Sequence, residues 1–143
     1  MLALLAACTL PALADDAGLT SFGAPSTITN NANNTTVTGS AVKIDKQHSA
    51  ALIIKTSGTQ AGTGNVAVQL ARSYDGTNFE SSPPAGLRFT NALAGATTII
   101  GYHEISPDLI RSAHSLKITG IQNYDASASG TNTTIGLLKK VER

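Results

Sequence analysis

The sequence predicts an all-β domain: an antiparallel β-sandwich, jelly-roll-like or immunoglobulin-like, of about seven strands with one short helix. Three observations lead there. Apolar residues alternate with polar or small ones over short runs, which is the period of strands with one face buried. Gly, Asn, Asp and Pro punctuate those runs where turns need them. Charged residues make up only 13% of the 143-residue chain, a strand-and-turn composition in a length suited to one domain.

Three stretches divide the chain. Residues 1–14 are apolar and uncharged, and they end in Ala12-Leu13-Ala14 before Asp15 and Asp16. That end fits a signal-peptidase site, whereas Leu5-Ala6-Ala7-Cys8 fits a lipoprotein box. No Lys or Arg precedes the run, so an apolar arm packed on protein stands beside a cleaved leader and a lipid anchor at Cys8. Residues 15–34 are read as a polar N-terminal arm, because no charge occurs from Ala17 to Val42 and 27–36 is an Asn/Thr tract. Such a tract buries too little apolar surface to offset its ordering entropy without a partner. Residues 35–143 are the sandwich.

Within the sandwich, strands are expected at 35–44, 50–56, 65–73, 87–90, 97–104, 115–122 and 133–141. The third is the clearest, with Val66, Val68 and Leu70 on one face and Ala67, Gln69 and Ala71 on the other. The same rule sends Leu52, Ile54, Leu116, Ile118, Ile135 and Leu137 inward. The glycine-rich stretch 57–64 reads as a hairpin connection between the second and third strands. Residues 106–113 read as a two-turn helix with Ser106 as N-cap and Pro107 at the first helical position. Leu109 and Ile110 would plug the core while Arg111 faces solvent.

Several function classes lack their chemistry. Ten basic residues are set against nine acidic ones for a net charge of +1, so there is no basic surface to displace counterions from nucleic acid. Lys139, Lys140 and Arg143, with Glu142 among them, read as a solvated tail. Beyond residue 14 no stretch has the length of a bilayer-spanning helix. Cys8 is the only cysteine, which rules out an intrachain disulfide.

No catalytic or metal site is expected, and no cofactor. A nucleophile elbow G-x-S-x-G is missing. His48, His103 and His114 lie on separate segments, and the H-E-x-x-H pattern begun at His103-Glu104 meets Pro107 where its second histidine belongs. Gly62-Thr63-Gly64 lacks the Lys and the following helix of a phosphate loop. Asp75-Gly76-Thr77-Asn78 supplies too few oxygens for calcium.

One segment remains distinctive, the run from Ala71 to Glu80. Asp75-Gly76 supplies a turn that tolerates positive φ, and Tyr74 and Phe79 flank it as a pair able to pack together across strands. A well-made hairpin accounts for it.

This S-x-D-G-x-N-F segment, from Ser73 to Phe79, resembles a hairpin that recurs in β-sandwich virion proteins of tailed bacteriophages, where an alternating strand such as 65–70 leads into the turn. The likeness extends more loosely from Ala41 to Gln122. It implies a non-enzymatic structural subunit, a capsid decoration, head or tail component, that packs against copies of itself or other virion proteins. Contacts would lie at strand edges, at the arm with Asn33 and Asn34, and at the hairpin with Tyr74, Asp75, Asn78 and Phe79. Two alternatives stand beside it. The Ala12-Leu13-Ala14 end suggests an exported bacterial surface or pilus-like protein. Discoidin-like carbohydrate-binding domains use a similar S-x-D-G-x-x-W turn, so a glycan is the partner if the domain is surface-exposed.

Overall fold

A computed structural model describes residues 18–22, 27–28, 31–35, 40–44, 49–58, 63–94, 97–124 and 131–140. Residues 1–14 with Cys8, and His48, lie outside the described residues. The strand segments are β1 (Gly18–Ser21), β2 (Thr27–Ile28), β3 (Asn31–Thr35), β4 (Val42–Lys43), β5 (Ser49–Gly58), β6 (Thr63–Ser73), β7 (Arg88–Ala94), β8 (Thr98–Ile105), β9 (Ser115–Asn123) and β10 (Thr131–Lys140). A 3-10 turn at Ala85–Leu87 precedes β7, and a four-residue helix, α1 (Pro107–Ile110), joins β8 to β9.

One sheet has the order β1-β10-β5-β8 with β2 also on β10; the other has the order β3-β9-β6-β7 with β4 also on β9. β1 pairs with 136–139 and β2 with 131–132, so together they form one interrupted edge strand along β10. β3 and β4 divide β9 in the same manner. The result is two sheets of four. With β1 and β2 counted as one edge strand and β3 and β4 as another, each successive strand in chain order crosses to the opposite sheet, except from β6 to β7. This is the order of a jelly roll. An immunoglobulin sandwich keeps its first two strands in one sheet and its last two in the other, and is set aside.

The core follows from alternation. Leu52 and Ile54 of β5 and Ile135 and Leu137 of β10 meet Val66, Val68 and Leu70 of β6 and Leu116 and Ile118 of β9 in one buried cluster. Continuous pairing between β5 and β10, from Thr131↔Gly58 to Lys140↔Ser49, fixes which face goes inside. Truncating any of these Leu or Ile side chains to Ala costs about 2–5 kcal/mol.

In β9 the pairing shifts between Gln69↔Gly120 and Leu70↔Ile118, leaving Thr119 as the extra residue of a bulge. Its hydroxyl donates to the Gln69 carbonyl at 3.4 Å. The bulge resets the phase, so that Ile118 and Ile121 are both fully buried although they are three residues apart.

Five expectations are corrected. The segment read as a polar arm supplies strands to both sheets, and Phe22, its one aromatic residue, is fully buried in the core. Its backbone bridges the two interrupted edges, donating to the Ile135 carbonyl at 3.4 Å and accepting from the Ser40 N–H at 2.9 Å. Backbone pairing needs no apolar side chains, which is how a polar tract joins a sheet. The single strand expected at 35–44 is two pieces, β3 and β4, because the register against β9 changes between them. The connection between β5 and β6 is no hairpin but a crossover between sheets, since β5 pairs with β8 and β10. The helix has one turn and not two, and Ser106, though extended at φ −52° and ψ 129°, makes no side-chain cap bond. Its plug role holds, with Ile110 buried, Leu109 packed on the core and Arg111 exposed. Lys139 and Lys140, read as tail, belong to β10, where the Lys139 ammonium donates to the Lys43 carbonyl at 3.3 Å.

Candidate functional site: the Asp75 turn and its ion pair

The turn grows out of the end of β6, where Ser73 pairs with Ser115 of β9 and bridges to Phe79 across the turn. Asp75 organises it. One carboxylate oxygen accepts from the Ser73 hydroxyl at 2.9 Å, the Thr77 N–H at 2.8 Å and the Asn78 N–H at 2.7 Å. The other accepts from the Asn78 side-chain amide at 2.7 Å. An Asp that gathers the backbone donors two and three residues ahead is the local bond that turns favour. These bonds, the Asn78 backbone bond foremost, hold the Asp75 carboxyl far below the ordinary carboxylate range.

Gly76 has φ +80°, the left-handed region in which glycine carries no penalty. A β-carbon there would also lie 2.7 Å from Nδ1 of His114. That imidazole fills the hollow beside the turn: its Nδ1 lies 2.7 Å from the Ser115 hydroxyl, its backbone N–H donates to the Ser73 carbonyl at 2.8 Å, and its carbonyl accepts from Ile44 at 2.8 Å. The turn is thus bonded to the start of β9, and through His114 that start is bonded in turn to Ile44 beside β4.

Behind the turn, Arg72 and Glu80 form a two-pronged ion pair, Nε to Oε2 at 3.0 Å and Nη2 to Oε1 at 2.6 Å. Arg72 also donates to the Leu109 carbonyl of α1 at 3.2 Å, and the Glu80 N–H donates to the Arg72 carbonyl at 3.0 Å. The side chains keep only 17% and 22% of their surface exposed. Pairing with Arg72 lowers the Glu80 pKa, and the same bond raises that of Arg72. The pair clasps turn to helix over one end of the core.

Of the residues singled out from sequence, Tyr74, Asp75, Asn78 and Phe79 share this turn, but Tyr74 and Phe79 do not pair with each other. Phe79 stands opposite Ser73, and the residue next to Ser73 points to the other face. Tyr74 therefore goes to Arg72, whose guanidinium lies 5.5 Å from its ring centre, and reaches Glu80 at 3.4 Å. Phe79 goes to Lys117, whose ammonium lies 4.8 Å from its ring centre. The backbones of Asn33 and Asn34 run in β3, on the opposite side of β9 from β6; their side chains lie outside the described residues. Arg72, Glu80 and His114 were missed as partners of the turn, although an Arg and a Glu flanking an Asp-Gly turn were the available signal.

Two other features stand apart. On the outer face of the β3-β9-β6-β7 sheet, Arg88 of β7 reaches over β6 to the side-chain oxygen Oε1 of Gln122 in β9 and to the Tyr124 hydroxyl at 2.9 Å. Tyr124 closes the triad by donating to Gln122 at 2.6 Å. Ala67, opposite Gln122 on β9 and Thr90 on β7, is almost fully buried between those strands. On the other sheet, His103 lies inside β8 with its ring centre 5.7 Å from that of Phe89, and its Nε2 is buried without a hydrogen-bond partner. Burial lowers its pKa.

Among the described residues no group of three or more His, Cys, Asp or Glu could hold a metal ion, and no helix is long and apolar enough to cross a membrane. Compared with protein families, with curated proteins and with solved structures, the chain matches none.

Proposed function

We propose that this chain is a non-enzymatic structural subunit of a tailed-phage virion, a capsid decoration, head or tail component that acts by packing against protein. The observation that carries this reading is the Asp75 turn, whose carboxylate is bonded within the turn itself. Asp75 takes four donors from the turn and Arg72 ties Glu80 to α1. Groups spent this way serve as a rigid corner, and the resemblance to phage virion hairpins gives that corner a setting. Fold alone does not carry function, so the jelly roll is only compatible with this role. Co-migration of the chain with phage particles through a density gradient tests the reading; the chain in the soluble fractions alone would overturn it.

A glycan-binding reading has one observation in its favour. Tyr124 is 39% exposed beside Arg88 and Gln122 on one sheet face, an aromatic flanked by polar groups as sugar sites require. Glycan-array binding lost on Tyr124→Ala would support it, and a blank array would remove it.

A further inference from the structure

The free edge of β8 carries an inference that rests on the assembly reading and gives it a partner and a register. β8 ends its sheet and, among the described residues, pairs with β5 only. The pairing is unbroken from Ala50↔Ile105 to Ser57↔Thr98, with no bulge to twist the edge away. The side-chain amide nitrogen of Asn91 lies 3.1 Å from the Ile54 carbonyl oxygen and 3.4 Å from that of Ile99. One nitrogen can reach both only if both carbonyls sit in the gap between β5 and β8. Backbone groups alternate sides along a strand, so those of Thr98, Ile100, Tyr102 and Glu104 point to the open edge.

The side chains of those same residues stand on the outer face. Tyr102 is 69% exposed and Ile100 50%. Natural edges are usually guarded by lysine, proline, a bulge or shortness. β8 is eight residues long and has only Glu104 as a charge. An open apolar edge of this kind is a site for strand addition.

The order of residues along the edge selects the occupant. If β8 meets itself antiparallel about Gly101, Ile100 stands opposite Tyr102 of the second copy, and Thr98 opposite Glu104, each contact occurring twice. The first is a β-branched and aromatic pair that stabilises antiparallel strands, and no like charges meet. Centring on Glu104 would instead set two carboxylates face to face. Within each copy Ile53 lies beside Tyr102, so the apolar row continues into the sheet. Gly101 lies on the axis; a β-carbon there would run into Asn91 Oδ1 and come within 2.8 Å of His103 Nε2, so this position stays glycine for internal reasons and leaves the axis slim.

We propose that β8 pairs antiparallel with β8 of a second copy of this chain about a two-fold axis at Gly101, joining two four-stranded sheets into one. A self-complementary patch of this kind gives a closed dimer.

Sedimentation velocity over a concentration series tests it on the full chain. The wild type should sediment as a dimer or larger, and Ile100→Lys with Tyr102→Lys should raise the dissociation constant by about tenfold or more, with an unchanged circular dichroism spectrum. Register is read separately in a Cys8→Ser background. Directly opposed residues on a hydrogen-bonded site lie about 5.5 Å apart between α-carbons, within disulfide reach. A mixture of Ile100→Cys and Tyr102→Cys chains should therefore cross-link far more than either alone. Equal association of the lysine variant, or equal cross-linking of the mixture and the single variants, would overturn the pairing. A wild type that stays monomeric yet co-migrates with particles would overturn the pairing and leave the assembly reading intact. A dimer with this register that never enters particles would do the reverse.

Discussion

Neutralising one side of the clasp that closes the sandwich, by Glu80→Gln, should destabilise the fold by about 2 kcal/mol. Glu80 accepts two charge-assisted bonds from Arg72, at 3.0 and 2.6 Å, and bonds to charged groups contribute about 1.5–3 kcal/mol each way of counting. Leaving Arg72 without its counter-charge adds a penalty that reaches about 3–5 kcal/mol for a fully buried pair. With 17% and 22% of the two side chains still exposed, solvent screens part of that penalty, so a value near the lower range follows. Urea unfolding is the assay: for a slope of about 2 kcal/mol/M, the midpoint should fall by about 1 M. A double-mutant cycle with Arg72→Met should return a coupling of about 1 kcal/mol or more. Coupling under about 0.5 kcal/mol, the range of solvent-exposed pairs, would refute the clasp.

The pH dependence has a definite sign at two sites. Glu80 has a lowered folded pKa, so its contribution is complete above the unfolded value near 4.5 and is lost as pH falls through the folded one; the loss should vanish in Glu80→Gln. His103 also has a lowered folded pKa, but for a base this means that the unfolded state takes up the proton first, so stability drops as pH falls below about 6.5. His103→Phe should flatten that limb in a thermal-melt series across pH 5 to 7, about where histidine titrates. Gly76→Ala forces a β-carbon into left-handed backbone and against His114, and should cost about 1–3 kcal/mol; a melting temperature unchanged by it would contradict the packing described. Asp75→Ala should speed amide hydrogen exchange at Thr77 and Asn78, the two backbone donors that it releases, and unchanged protection would refute the role given to Asp75.

Legibility of the sequence depended on where alternation alone decided the structure. Val66, Val68 and Leu70 could be sent inward from spacing because β6 carries no extra residue of its own and is flanked on both sides. Ile121 could not, because the Thr119 bulge shifts the phase, although the apolar positions do pass from even to odd numbers at Thr119-Gly120. Phe22 was hidden inside a polar tract whose strands are held by backbone bonds that no side-chain pattern advertises. Sheet membership was illegible as well: β5 and β6 are neighbours in sequence, and only long-range pairing places them in opposite sheets. At the candidate site the turn itself was readable from Asp75-Gly76, and φ at Gly76 is positive as expected. The Arg72–Glu80 pair flanking it was there to be read, but His114 and the Leu109 carbonyl were not, since they meet Ser73, Gly76 and Arg72 only once β9 and α1 are in place.

If this jelly roll works as one part of a phage particle, quantitative mass spectrometry of gradient-purified particles should return a fixed copy number per particle, constant across preparations and in ratio to the other virion proteins. A trace, variable signal that washes away with salt would contradict it.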